Sequence, residues 1–122
     1  MADLVEAVRV AIANAPDAIS AVIDGGAAYI RYAVENPHGF DVIYDPTVCI
    51  PGEPSETMAP LILELEGQLS RAAAAAGLDT AEDVVGVWGL VHGLGTLCAA
   101  GHFSLDIALA GYEHTLRRML TA

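Results

Sequence analysis

VWGLVHGLGTLCAAG, residues 87–101, decides the fold. It sits inside an 18-residue stretch, Val84 to Gly101, that carries no formal charge and approaches the lower length limit for a membrane-spanning helix. Its surroundings argue against a span. Glu82 and Asp83 precede it, no Lys or Arg anchors either end, and Gly86, Gly89, Gly93, Gly95, His92 and Thr96 dilute it. The expectation is a helix buried among other helices, with no membrane partner.

The glycines are ordered along that helix. At 3.6 residues per turn, Gly86, Gly89, Gly93, Thr96 and Ala100 fall on one stripe with alternating three- and four-residue spacing. Small residues there let another backbone approach closely, and Gly89 with Gly93 repeats the small-xxx-small pattern of tight helix pairs. The opposite side carries Val84, Val87, Trp88, Val91 and Cys98, so both faces demand packing.

Helical periodicity extends through the rest of the chain, and no stretch sustains the alternation of a half-buried strand, so the fold is expected to be all-α, a six-helix bundle. A first helix is expected from about Asp3 to Ala13, with Leu4, Val8 and Ala11 or Ile12 on one side. Asn14, with Asp17 three residues on, resembles a capping start for the second, with Pro16 in its first turn. That helix is expected to bury Ile19, Val22, Ile23, Gly26, Tyr29, Ile30 and Ala33 and to stop at Asn36, ahead of Pro37. HGFDVIYDP, residues 38–46, suggests one or two short helical turns. TVCIPGEPSE, residues 47–56, reads as a surface loop and the expected seat of greatest mobility. The fourth helix is expected from about Met58 to Ala76, with Leu61, Ile62, Leu65, Leu69 and Ala72 on one face and Gly77 as its stop. Asp79 or Thr80 starts the fifth and Gly101 ends it; Ser104 caps the sixth, whose final turn carries Arg117 and Arg118.

The sixth helix again has two faces: Leu105, Leu109, Tyr112 and Leu116 on one, Ile107, Gly111 and His114 on another. Six short helices within one chain cannot cover all of these surfaces. A homodimer built as a four-helix bundle from the last two helices of each subunit would, with Gly86, Gly89, Gly93, Ala100, Ile107, Gly111 and His114 at the interface.

Length and composition set the remaining bounds. The 122 residues, 54% of them hydrophobic, suit one domain spanning 1–122. Five arginines and no lysine stand against 16 acidic residues, a formal net charge of -11, which disfavours contact with a phosphate backbone or an anionic membrane. Neither a secretory leader nor a cleavage site follows Met1, so a reducing cytoplasm is the expected location, with Cys49 and Cys98 as free thiols. Cys98, His102 and Asp106 fall at four-residue steps, but Gly101 and Ser104 break the helix between them. With no second ligand cluster, no Gly-rich phosphate loop and no HExxH motif, neither a metal site, a cofactor nor an enzyme is expected.

Trp88, three residues, then His92, Gly93, Leu94 and Leu97 resembles the Trp-His-Gly motif of one subgroup of TetR-type regulator C-terminal domains. AYIRYAVENPHGFDVIYD, residues 28–45, is similar to the helix-Pro-short-helix segment of the same domains, and the similarity runs helix for helix along the chain. It implies a bacterial one-component repressor, dimeric through its last two long helices, in which a small molecule enters the core and moves a connector helix. Operator affinity then drops because the two reading heads no longer match their half-sites. Such regulators begin with a helix-turn-helix domain, and nothing before Asp3 supplies one, so DNA contact is expected only through a missing N-terminal domain. The first helix resembles the connector.

Trp88 and His92 lie one turn apart and are expected to look toward one cavity, with Tyr29, Ala33, Phe40, Tyr44, Ile62 and Leu65 approaching from other helices. Those eight residues are the expected contacts of a small apolar or drug-like effector. Plain core packing accounts for the same aromatics, and a bond to a backbone carbonyl for His92. The alternative function is a stand-alone helical binding protein or enzyme acting on an apolar small molecule.

Overall fold

The structure, a computed structural model, describes residues 2–36 and 59–121, the side chains of residues 59, 60 and 62 excepted. Every regular element among them is α-helical. Numbered in chain order they are α1 (Ala2–Ala13), α2 (Ala18–Glu35), α3 (Ala59–Ala75), α4 (Ala81–Ala99) and α5 (Leu105–Thr121). The short helical turns expected at 38–46 and the loop expected at 47–56 lie outside the described residues.

Local chemistry places most of the helix ends. Gly77 and Gly101 adopt positive φ, +99° and +87°, which an L side chain resists. After α3, Leu78 N–H donates to Ala73 O at 2.8 Å and Gly77 N–H to Ala74 O at 3.0 Å. After α4, His102 N–H reaches Leu97 O and Gly101 N–H reaches Cys98 O, both at 3.0 Å. Both pairs form the Schellman pattern, which satisfies carbonyls that the helix leaves open. A capping box starts α4: Asp83 N–H donates to Thr80 Oγ1 at 3.1 Å, and Thr80 N–H to Asp83 Oδ2 at 3.4 Å. Ser104 Oγ accepts from Ile107 N–H at 3.3 Å at the head of α5.

The start of α2 differs from the expected one. Asn14 does not cap it, because Asn14 N–H still donates to Val10 O and closes α1. Pro16 therefore precedes the cap, which is Asp17, extended in backbone and accepting from Ser20 N–H at 2.7 Å. That bond holds the Asp17 carboxyl below its ordinary range. Ile19, expected inside, is 41% exposed. It lies in the first turn, one turn before Val22, where the packed layer begins.

α2 is the central helix and touches the other four. Its Val22, Tyr29, Ile30 and Ala33 are fully buried among Leu4 and Val8 of α1, Leu65 and Ala73 of α3, Val87 and Val91 of α4, and Tyr112 and Leu116 of α5. One contact between α2 and α5 is especially close. Tyr112 is wholly buried against the bare backbone of Gly26, and its hydroxyl donates to Val22 O at 2.6 Å. Burial pushes the phenol well above its ordinary pKa, so it stays a donor at every physiological pH.

No helix among the described residues is long and apolar enough to cross a membrane. In α4 the side that meets the core is Val87, Val91, Gly95 and Cys98, while Gly86, Gly89, Thr96 and Ala100 are exposed and Gly93 is half-buried.

Candidate functional site

Three of the eight residues expected around the effector come together where α2 crosses α4. The rings of Tyr29 and Trp88 meet edge to face, with centroids 5.6 Å apart and planes at 68°. The Tyr29 hydroxyl lies 3.3 Å from His92 Nδ1. Tyr29 is fully buried, whereas Trp88 and His92 are half-buried. Helical geometry explains the grouping: Trp88 and His92 are one turn apart on α4, and Tyr29 is the aromatic that the central helix presents to both. Ala33 and Leu65 are wholly inside the core. Phe40, Tyr44 and the side chain of Ile62 fall outside the described residues.

Burial lowers the His92 pKa from its ordinary 6.5. The folded chain therefore keeps this imidazole neutral over a pH window in which the unfolded chain protonates it. More protons on the unfolded state mean that stability rises with pH there; the contribution is complete above 6.5 and is lost as pH falls through the folded value. Thermal unfolding measured between about pH 7.5 and pH 5 is expected to show a steeper fall in Tm for the wild type than for His92→Gln. Identical slopes would remove His92 from this role.

Beside this cluster an open apolar groove of about 440 Å³ runs between α3 and α4. Trp88 lines it together with Leu63, Leu69, Val84, Val85 and Val87. Glu66 is the only charged residue among the described lining residues, and Ser70 the only hydroxyl. Of the residues expected at the effector, only Trp88 is on its described wall. The others on that wall were missed by periodicity, yet one signal was present. Leu63 and Val85 each adjoin apolar residues on a helix whose core face is already assigned, so one of each pair has to face outward; they are 67% and 70% exposed.

Of the seven residues expected at a subunit interface, Gly86, Gly89, Ala100, Ile107, Gly111 and His114 are exposed in the single chain, and Gly93 is half-buried. A Cβ built on Gly89, Gly93 or Gly111 meets nothing among the described residues within 4 Å. Cys98 is a buried free thiol at the end of α4, and His102 is exposed beyond the helix break. No group of three or more metal-ligating side chains occurs among the described residues.

Residues 22–122 fit the family model described as tetracyclin repressor-like, C-terminal domain. The chain belongs to that family. Membership places it among regulatory, ligand-binding domains. No individual curated protein and no solved structure is detectably similar to it. Within the family match, α2 from Val22 onward and all of α3, α4 and α5 are included, so the whole Tyr29–Trp88–His92 cluster and the described walls of the groove lie inside it.

Proposed function

We propose that this domain senses a small apolar or drug-like effector and joins two copies of a TetR-type repressor, so that effector binding releases the full-length protein from its operator. The observation that carries the reading is Trp88, which both lines an open apolar groove and packs edge to face on the buried Tyr29. A molecule seated in the groove presses on Trp88, and Trp88 is coupled to Tyr29 on α2, the helix that touches α1. α1 is the connector toward a separate N-terminal DNA-binding domain. Such coupling requires the effector to bind one arrangement of these helices better than the other.

The dimer half of the proposal rests on the glycines. Each costs a helix about 0.5–1 kcal/mol relative to alanine, and nothing among the described residues requires a bare backbone at Gly89, Gly93 or Gly111. A second copy pressed against α4 and α5 supplies that requirement, with Gly86, Ala100, Ile107 and His114 completing the surface.

Native mass spectrometry of the chain purified under mild conditions tests the site. A retained small molecule is expected, with occupancy at least about tenfold lower in a Trp88→Ala variant that keeps its helical circular dichroism. Unchanged occupancy in that variant puts the site elsewhere. Adding the recovered molecule to full-length protein on its DNA then separates a regulator from a carrier: release supports the first, and undisturbed binding the second.

A further inference from the structure

We propose that the groove between α3 and α4 selects lipophilic cations, a ligand class that rests on the effector-site reading above and narrows it. Its volume of about 440 Å³ is in the range of drug-sized sites. Its walls of Leu63, Leu69, Val84 and Val87 offer nothing to a compact, strongly hydrated ion, which would lose its water without replacement. They suit a large apolar body. Two features then set the sign of charge on that body.

Glu66 is the only charged residue among the described lining residues. Arg71, the nearest cation along the same helix, sits beside Gly67 at the edge of the groove, but it lines the cleft against α1 rather than the groove wall, with its guanidinium 4.0 Å from the Glu64 carboxylate. Trp88 adds the aromatic surface to which a delocalised, weakly hydrated cation is drawn. The field of the whole chain, with a net charge of -11, acts in the same direction. An organic anion meets Glu66 on the wall and that field, and the nearby Arg71 guanidinium is already shared with Glu64. A neutral molecule gains the walls but forgoes both attractions. The chemical class is therefore an aryl-rich cation, such as a phosphonium or a quaternary ammonium carrying aromatic rings.

Two probes of nearly the same shape and opposite charge test this: tetraphenylphosphonium and tetraphenylborate. Trp88 is the sole tryptophan of the chain and lines the groove, so its fluorescence reports occupancy there directly. Titrations of the 122-residue chain near physiological salt are expected to give a dissociation constant at least about tenfold lower for the phosphonium. Glu66 is exposed, so substituting it leaves the fold intact. Glu66→Gln is expected to reduce the preference by about fivefold, the size of an exposed ion-pair contribution, and Glu66→Lys to reverse its direction. Equal affinities for the two ions, or a preference that survives Glu66→Lys, overturn the charge assignment and leave the effector site standing. Absence of any response of Trp88 to either ion overturns the groove as a ligand site altogether.

Discussion

Replacing Gly26 with alanine is expected to destabilise the chain by about 2–3 kcal/mol and to lower its Tm by roughly 10 °C. In an open helix interior the same change is stabilising by about 1 kcal/mol, so the sign itself is diagnostic. A methyl group on Gly26 would lie 2.5 Å from Tyr112 Cε2 and nearer still to the Cζ–Oη end of the ring. The ring has nowhere to retreat. It is fully buried, and its hydroxyl is tied to Val22 O on the same helix that carries Gly26. Thermal melts of Gly26→Ala in wild-type and Tyr112→Leu backgrounds check the cause. The substitution is expected to be costly in the first and close to neutral in the second, because the atoms that collide are gone. Equal costs in both would mean that the α2–α5 approach does not depend on this contact.

The second large effect concerns the opposite kind of glycine. Gly89→Leu and Ile107→Glu are each expected to weaken self-association by at least about 100-fold, the scale of a disrupted interface centre. Both positions are exposed in the single chain, with Ile107 at 62%, and a Cβ at Gly89 meets none of the described residues within 4 Å. Folding of the subunit is therefore expected to survive. Helical circular dichroism should stay at the wild-type level while sedimentation velocity shows the smaller species. A variant that stays associated would place the contact on another surface. One that unfolds would mean that these residues serve the subunit rather than its partner.

The contrast between Gly26 and Gly89 shows how far the sequence was legible. Both looked like helical glycines awaiting a close neighbour. Periodicity assigned Gly26 to the core face of α2 without revealing that its neighbour is the Tyr112 ring, from a helix at the far end of the chain. Helix ends were clearer, because the groups that form them are close along the chain: Gly77, Gly101, the Thr80–Asp83 box and Ser104 all act where the sequence suggested. Asn14 and Asp17 were harder. Both are good capping residues three positions apart, and the outcome turned on whether α1 kept its last turn, as it does through the Asn14 to Val10 bond. The site divides along the same line. Trp88 and His92 were legible as one turn of one helix, and Tyr29 as the aromatic on the helix between. Leu63, Glu66 and Val85 were not, since the groove is formed jointly by residues of α3 and α4, and periodicity within each helix says nothing of how the two sit together.

The proposed function depends on the side-chain-poor stripe on α4 and the outer face of α5, because under it an effector moves a pair of DNA-reading heads apart only if the domain holds both copies together. Multi-angle light scattering of the chain at micromolar concentration measures this most directly. The account predicts a particle of twice the 12.6 kDa chain mass, falling to a single chain mass in Gly89→Leu. A wild-type particle of one chain mass under those conditions would contradict it.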